Sequence, residues 1–394
     1  MSENNQKNNK HGIENKRGLM DMIILLKDMD YIVSYEKKPN FRMPEYKKPI
    51  FNPDFLMEFG DGDKWIVFTT TSLRERFDRS QWITYNIKKL DPAVKESFCV
   101  YLEGTVEKEE RLFITRQKII ESGDYYSLVK VVSQNELWKL AEEKALSNVD
   151  TGKKKHLIGN NFESKIAGIL SNGDNLTRMK NHSDTIVGTF FDDYRMIIEC
   201  LGIPVDITKE IKATSDKKII GKLPGNKNPK TDVLVKAIFD DDQYSYYTIS
   251  CKSTTEDEVT VNESSADNYI SILGANETLA DLLNKFQEAG SLDAFGTENI
   301  DKLTTELKPL QEKLFKWILG GHGGPGDPEK QWANYILTEH VKGEDIKLHI
   351  YSLMDYKAKL DSQRKKGHFG TPFKWTYPSK KRGKKIQLKL MIID

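Results

Sequence analysis

The chain has 394 residues, of which 38% are hydrophobic, 10% aromatic and 30% charged. This length favours two or three domains over one, and the apolar content excludes wholesale disorder. The longest aliphatic run, residues 22–26, is far shorter than the roughly 20 residues of a bilayer span. Three widely spaced cysteines without a CxxC pair indicate neither a disulfide framework nor a zinc cluster. We therefore expect a cytoplasmic protein with no membrane partner.

The net charge of +1 hides a strong asymmetry along the chain. Residues 357–394 contain twelve basic and two acidic side chains, a local charge of +10, so the remaining 356 residues carry −9. A basic terminus on an otherwise acidic protein is typical of proteins that bind a phosphate-rich ligand.

The amino-terminal part begins with residues 1–16, which are polar, rich in Asn and without apolar periodicity. This composition predicts a flexible tail. Residues 17–28 carry an apolar stripe that predicts a helix. Two β-rich runs, residues 51–59 and 65–71, are separated by a Gly-Asp-Gly-Asp turn signal and predict a strand pair. A helix is predicted next, over residues 74–90.

A domain boundary is predicted near the middle of the chain. Ser133 and Glu136 form a capping box that starts a helix ending near Leu146. The polar and charged residues 147–155 follow and mark the boundary. We therefore place an N-terminal α/β domain at residues 17–150 and a second domain at 156–394.

The second domain shows the same order of helix, strand and strand. Phe162, Ile166 and Leu170 are spaced for one face of a helix. The glycine-rich residues 320–326 lack the Lys-Ser/Thr pair of a P-loop and are interpreted as a flexible loop. The other elements predicted here are helices at 194–201, 277–289 and 301–319, and strands at 231–239, 244–252, 332–338 and 346–353.

One strand pair carries a catalytic pattern. Asp232 starts one strand and Lys252 lies near the end of its hairpin partner, as in the core of PD-(D/E)xK nucleases. Phosphodiester hydrolysis needs a hard divalent cation held by carboxylate oxygen, which Asp232 would supply. Ser250 and Lys252 share a strand face, and Cys251 points to the other. A solvent-exposed salt bridge is the simpler interpretation, since Ser250 stands where a second acid is usual.

The carboxyl terminus makes the resemblance specific. Residues 367–379 (GHFGTPFKWTYPS) and 384–389 (KKIQLK), together with residues 229–232 (PKTD), resemble the MspI-type restriction endonucleases. The resemblance covers about residues 157–390. It implies a restriction-endonuclease-like α/β fold, a mixed sheet flanked by helices.

The resemblance implies Mg²⁺ as cofactor and a role for each residue of the pattern. Asp232 would be a metal ligand, Ser250 a weaker ligand or water contact, and Lys252 a water-activating base or a charge stabiliser. The backbone carbonyl of Cys251 would be a further metal ligand. Glu163 matches a helical glutamate that lies near the metal in the family, and the alternative is an ordinary surface carboxylate.

The resemblance also implies a C-terminal DNA-reading hairpin at residues 367–390. The positions that match the family's base contacts are Thr376, Ser379, Gln387 and Lys389. Thr260 matches another hydroxyl contact. The side chains expected to position phosphates are Lys380, Lys381, Arg382, Lys384 and Lys385.

The expected partner is double-stranded DNA, read at CCGG and cut between the two cytosines, with a cognate DNA methyltransferase in the same system. A solvated basic tail is the alternative, but apolar residues alternate with polar ones around Trp375 and Leu388. Pro378 departs from the family hairpin, which has a small residue there.

The N-terminal domain shows a weaker version of the same pattern. Pro53 and Asp54 open one strand, and residues 69–71 are threonines where the acid and lysine would stand. One interpretation is a nuclease-like fold that has lost its catalytic activity and contacts DNA or a second subunit. The other is a plain α/β domain. The side chains to test for phosphate contact are Arg74, Arg76 and Arg79.

Three functions remain open at this stage. The leading hypothesis is a Mg²⁺-dependent type II restriction endonuclease. Ser250 motivates the second, a sequence-specific DNA-binding protein with an inactive nuclease fold. A site-specific nicking endonuclease is the third. The oligomeric state does not follow from the sequence.

Overall fold

A computed structural model describes residues 3–42, 51–70, 75–101, 107–147, 151–182, 190–342, 345–362 and 367–393. The chain divides into two compact units, Met1–Leu157 with Asn172–Asp192, and Ile158–Ser171 with Asp193–Asp394. The sequence predicts one domain boundary near residues 147–155. The division into units differs from this, because Asn172–Asp192 belongs to the first unit although it follows part of the second. No helix in the described ranges is long and apolar enough to cross a membrane.

The first unit is built on a five-stranded sheet with the order β1-β2-β3-β4-β5. The β1–β2 and β2–β3 pairs are antiparallel, and β3–β4 and β4–β5 are parallel. In chain order, the elements up to residue 181 are α1 (Glu3–Asp28), β1 (Ser34–Lys37), β2 (Phe55–Glu58), β3 (Lys64–Thr69), α2 (Glu75–Leu90), β4 (Val94–Tyr101), α3 (Glu107–Glu121), β5 (Lys130–Ser133), α4 (Gln134–Leu146), α5 (Thr151–Leu170) and α6 (Gly173–Asn181), and most of α5 belongs to the second unit.

Local chemistry explains several of these boundaries. The turn between β2 and β3 closes through the amide of Phe59, which donates to the carbonyl of Asp63, and Gly62 supplies the positive φ of 83°. The predicted capping box is confirmed, since the Ser133 hydroxyl accepts from the Glu136 amide and the Glu136 carboxylate accepts from the Ser133 amide.

The first helix corrects the expectation of a flexible tail over residues 1–16, because α1 already begins at Glu3. Asn15 is fully buried, and its side-chain amide donates to the carbonyls of Thr70 (3.2 Å) and Val100 (3.5 Å). Its side-chain oxygen accepts from Gln134 at 3.1 Å. The sequence missed this because the anchor is a polar residue, which adds nothing to an apolar stripe.

The second unit contains a five-stranded sheet with the order β11-β10-β8-β7-β6 and a three-stranded sheet with the order β12-β13-β9. In the larger sheet β8 and β10 are parallel, and all other neighbouring strands are antiparallel. The elements are α7 (Phe191–Leu201), β6 (Thr208–Thr214), α8 (Lys217–Ile220), β7 (Val233–Phe239), β8 (Tyr244–Thr254), β9 (Glu258–Ser264), α9 (Ala266–Leu273), α10 (Glu277–Ala289), α11 (Leu292–Phe295), α12 (Thr297–Leu307), α13 (Gln311–Phe315), β10 (Tyr335–Lys342), β11 (Asp345–Ser352), α14 (Leu353–Asp361), β12 (Lys374–Thr376) and β13 (Ile386–Met391).

The small sheet is fixed to the unit by one apolar face. Ile386, Leu388 and Leu390 alternate along β13 and are all fully buried in the largest hydrophobic cluster, with Trp375 of β12 and Phe286 of α10. The residues between them on β13 therefore lie on the opposite face of the sheet. The predicted mixed sheet flanked by helices is confirmed.

The helix predicted over residues 301–319 is broken into shorter pieces. A 3₁₀ turn at Lys308–Leu310 separates α12 from α13, and a π-helical turn at Lys316–Gly320 follows. Pro309 explains the first break, because proline has no amide hydrogen to donate. The glycine-rich residues 320–326 form the expected connection, closed by a 2.9 Å contact between His322 Nε2 and the carbonyl of Ala333.

Replacement of Asn15 by alanine tests whether the first helix is part of the folded unit. We expect Asn15→Ala to lower the free energy of unfolding by about 1–3 kcal/mol, because it removes three hydrogen bonds of a buried side chain. Urea denaturation measures the loss. Ile13→Ala, at a side chain that is 66% exposed, is the control. An equal and small effect of both substitutions would show that Asn15 is not anchored.

Candidate active site

Asp232 is the centre of the site and lies directly before β7. Its amide donates to the carbonyl of Ile249 at 2.8 Å, which fixes the register between β7 and β8. Its Oδ2 accepts from the Ser250 hydroxyl (3.2 Å), the Cys251 amide (2.9 Å) and the Lys252 ammonium (3.2 Å). Three consecutive residues of one strand therefore converge on one carboxylate oxygen.

Lys252 links the members of this group. Its Nζ also donates to the Ser250 hydroxyl at 3.0 Å and to the Cys251 carbonyl at 2.7 Å. Burial works to lower the pKa of Lys252, but the nearby carboxylate of Asp232 outweighs it and holds the pKa above its usual value. Lys252 is therefore an ammonium that donates hydrogen bonds at neutral pH.

Glu163 of α5 joins the site through a lysine that the sequence analysis missed. Lys217 Nζ lies 3.1 Å from Glu163 Oε2 and 3.4 Å from Asp232 Oδ1, and so bridges the two carboxylates. It is the first residue of α8, whose N-terminus Asp216 caps. The only signal in the sequence was a helix cap followed by lysines, which does not indicate where the side chain points.

The two carboxylates differ in their electrostatic surroundings. Burial raises the pKa of Glu163, and the charge of Asp232 adds to this, while Lys217 opposes it. Burial alone would also raise the pKa of Asp232, but Lys252 and Lys217 prevail and hold this pKa below its usual value. Asp232 is thus the firmly ionised member of the pair.

The groups at the site suit a hard divalent cation. Asp232 and Glu163 offer carboxylate oxygens, Ser250 a hydroxyl and Cys251 a backbone carbonyl, and magnesium prefers oxygen ligands. Within the described ranges, no three His, Cys, Asp or Glu side chains form a metal-binding group. Lys217 already places a positive charge between the two carboxylates, which shows that the space between them favours a cation.

Lys230 is a second group that the sequence analysis did not single out. Burial and the charge of Lys252 lower its pKa to about 8, although Asp232 opposes the shift. Its aliphatic stem lies so close to Gly321 that a Cβ on this glycine would approach it to 3.2 Å. The charge of Lys230 therefore changes closer to neutral pH than that of an ordinary lysine.

Four of the predicted base-contacting residues share one face of the small sheet. Lys389 pairs with Thr260 of β9, and Gln387 pairs with Thr376 of β12. Paired residues in antiparallel strands project to the same side, here the side opposite the buried Leu388. We call the side formed by Thr260, Thr376, Gln387 and Lys389 the reading face.

The basic turn between β12 and β13 borders the reading face. Ser379, the fifth residue predicted to contact bases, is exposed in this turn. Lys381 and Lys385 lie 3.1 and 3.6 Å from the carboxylate of Glu263 on β9, and the hydrogen bond from Lys381 is the main cause that lowers the pKa of Glu263. The residues of the turn that are exposed are Lys380, Lys381, Arg382 and Lys384, and Lys385 is half-buried.

The three arginines of the first unit have different surroundings. Arg74 lies outside the described residues. Arg76 donates to the carbonyl of Thr69 at 2.6 Å, and Arg79 is exposed on α2. Phosphate contact by these arginines stays a prediction.

The raised pKa of Glu163 generates a pH prediction for the metal-free protein. A carboxyl whose pKa is higher in the folded than in the unfolded state destabilises the fold once it ionises, and this cost disappears as the pH falls towards the ordinary value of 4.5. We therefore expect Glu163→Gln to raise the melting temperature in EDTA at pH 7 to 8, with a gain that shrinks towards pH 4.5. Thermal unfolding across this range measures it.

The matched control is Glu199→Gln, at an exposed position of α7. It should leave the melting temperature unchanged at every pH. A gain for Glu163→Gln that does not depend on pH would contradict the assignment.

Comparisons with known proteins identify the family of the chain. The family model of restriction endonuclease MspI matches residues 138–390. The type II restriction enzyme BsuFI of Bacillus subtilis is 31% identical over 404 aligned residues, which cover 99% of each chain. The type II restriction enzyme MspI of Moraxella sp. is 22% identical over 190 residues, which cover 47% of this chain and 72% of the enzyme.

A solved structure shows the same fold. The crystal structure of restriction endonuclease MspI in complex with its cognate DNA matches with a TM-score of 0.54 and 19% identity, over 64% of this chain and 98% of that one. The family model spans well over half of the chain, and the relative from Bacillus subtilis aligns along nearly all of it. The chain therefore belongs to the MspI family of type II restriction endonucleases.

Proposed function

We propose that the protein is a Mg²⁺-dependent type II restriction endonuclease that hydrolyses double-stranded DNA at CCGG, between the two cytosines. The observation that carries the proposal is the convergence of Ser250, Cys251 and Lys252 on the Asp232 carboxylate, with Glu163 on its other side through Lys217. The two relatives are type II restriction enzymes, which supports the reaction class, and the solved MspI structure contains DNA.

In this proposal Asp232 and Glu163 hold the metal ion, with Ser250 and the Cys251 carbonyl as weaker ligands. Bound Mg²⁺ would supply a Lewis acid that lowers the pKa of a bound water and offsets phosphate charge. Ser250 is neutral, so it adds no negative charge against the scissile phosphate.

The protonation of Lys252 supports one of the two roles considered for it, that of a charge stabiliser. Its pKa lies above the usual value, so it carries its proton at neutral pH and stabilises negative charge rather than accepting a proton. An ammonium that is already held by Asp232 and Ser250 needs little rearrangement to do this, which is the source of electrostatic catalysis.

The reading face supports the proposed target. Lys389 donates hydrogen bonds and suits the O6 and N7 acceptors of guanine, whereas Gln387 both donates and accepts. The hydroxyls of Thr260 and Thr376 serve either kind of base edge. Lys380, Arg382 and Lys384, in the exposed turn beside this face, would contact phosphates.

The cellular setting follows from the proposed activity. A nuclease that reads CCGG needs a cognate DNA methyltransferase to protect the host DNA, as a functional rather than a physical partner. Such an enzyme acts on DNA in the cytoplasm.

Removal of the Lys252 ammonium tests the mechanism. We expect Lys252→Ala to slow cleavage of unmethylated plasmid in Mg²⁺ by about 100-fold or more, the usual cost of losing a group that stabilises the transition state. Lys209→Ala is the control, because Lys209 is exposed and pairs with Asp242 away from the site. Wild-type cleavage rates in Lys252→Ala would refute the role of this lysine.

Mapping the ends of the fragments on a sequenced plasmid tests target and cut position together. Ends at CCGG between the cytosines are expected. Tight, site-specific binding without cleavage in Mg²⁺ or Mn²⁺ would instead favour the DNA-binding protein with an inactive fold, and single-strand breaks at the site would favour the nicking enzyme.

The pairing of Glu263 with the basic turn generates a prediction for DNA binding. Glu263→Gln should release Lys381 and Lys385 for phosphate contact and remove a negative charge beside the reading face. We expect affinity for a CCGG duplex in EDTA to rise a few-fold, with a plot of log K against log salt that is steeper by about one unit for each released lysine. Fluorescence anisotropy at several salt concentrations measures both.

The control for this experiment is Glu256→Gln, at an exposed position between β8 and β9. An equal effect of the two substitutions would mean that general charge, rather than the pairing with the turn, limits binding.

A further inference from the structure

The sheets of the two units share a pattern of strands. In the first unit β1, β2 and β3 are antiparallel neighbours and β3 pairs in parallel with β4. In the second, β6, β7 and β8 are antiparallel neighbours and β8 pairs in parallel with β10. The fifth strand differs, because β5 is parallel to β4 whereas β11 is antiparallel to β10.

Asp54 repeats the hydrogen bonds of Asp232. The Asp54 amide donates to the carbonyl of Val67 at 2.9 Å, as the Asp232 amide does to Ile249 at 2.8 Å. The Asp54 Oδ2 then accepts from the amide of Thr69 at 2.7 Å, which lies two residues after Val67, as Cys251 lies two residues after Ile249. The side chains of Asp54 and Asp232 are 12% and 15% exposed, so their burial also agrees.

The hydrogen bonds of Asp54 fix which residues of β3 correspond to those of β8. This correspondence differs from the expected one, in which residues 69–71 stood where the acid and the lysine would be. Counting from Val67, Phe68 stands at the position of Ser250 and Thr70 at the position of Lys252. Thr69, at the position of Cys251, donates its hydroxyl to Asp54 Oδ2 at 2.9 Å. The first unit thus keeps the carboxylate and its backbone donor and lacks the ammonium on the strand.

The second oxygen of Asp54 faces a lysine from the preceding helix. Lys16 Nζ of α1 lies 2.5 Å from Asp54 Oδ1. In the second unit α5 contributes the acid Glu163 instead, and Lys217 lies between this acid and Asp232. A divalent cation beside Asp54 would meet the positive charge of Lys16.

We propose that the first unit is a second nuclease-type sheet in which the Lys16 ammonium occupies the metal position, so that each chain has one hydrolytic centre. This inference rests on the proposed function of the second unit, which defines what a metal position is. Its consequence is that one chain cuts the two strands of a duplex in separate events, or two chains act together.

Metal binding by the full-length protein tests the proposal. Electron paramagnetic resonance of free Mn²⁺, without DNA, gives the number of ions bound per chain. We expect Asp54→Asn to bind as many ions as the wild type, and Asp232→Asn to bind fewer. A loss of bound Mn²⁺ in Asp54→Asn, with circular dichroism showing a folded protein, would overturn the proposal. Undiminished binding in Asp232→Asn would instead count against the proposed active site.

A second variant tests the proposal through a gain of Mn²⁺ binding. This test does not require the Asp54→Asn variant to be folded. Lys16→Glu places an acid beside Asp54, as Glu163 stands near Asp232, and should bind an additional Mn²⁺ per chain. Lys27→Glu makes the same charge reversal near the end of α1 and should add none. Failure of a folded Lys16→Glu variant to exceed both the wild type and Lys27→Glu would overturn the assignment of Lys16.

Discussion

The removal of the Asp232 carboxylate from water is the constraint on which the active site depends. A buried carboxylate is costly unless donors surround it, and three of its donors come from consecutive residues of β8. A shift of the β7–β8 register by one residue would turn the side chains of Ser250 and Lys252 to the other face of the sheet. The antiparallel pairing of these two strands is thus as important for the chemistry as the identity of the side chains.

The same site accepts an unfavourable charge for the sake of function. Glu163 is held near Asp232 although burial and the like charge both disfavour its ionised form, and Lys217 compensates in part. Two lysines, Lys217 and Lys252, and the two carboxylates give a neutral cluster. A divalent cation in the place of Lys217 would bring the net charge of this cluster to +1, which favours the approach of a negatively charged phosphate.

The sequence predicted the parts of the fold that repeat locally. The hairpin containing Asp232 and Lys252, the helix α10 and the alternation on β13 all follow from periodicity and turn residues, and the structure has them close to the predicted bounds. The role expected of the C-terminal residues came from resemblance to a family, since periodicity alone shows which face is exposed and not what it reads.

The parts that the sequence did not predict depend on contacts between distant residues. Lys217 is far from Glu163 and Asp232 along the chain, and nothing in its neighbourhood indicates that it joins them. Asn15 is a polar residue in a polar stretch, so its burial could not be inferred from hydropathy. The charge asymmetry pointed to the C-terminal end of the chain, but it concealed that Glu263 pairs with Lys381 and Lys385 and so neutralises part of that charge.

The strand β8 leads into β9 after a short turn, so Lys252, which we propose to act in catalysis, and Thr260, which we propose to contact a base, are eight positions apart on one continuous segment. Fully extended, this segment reaches at most about 26 Å. Under the proposed function, this segment would limit the distance between the recognised base and the scissile phosphate. An insertion in the turn between the two strands would then move the scissile bond relative to the recognised bases, while the catalytic groups and the reading face stayed the same.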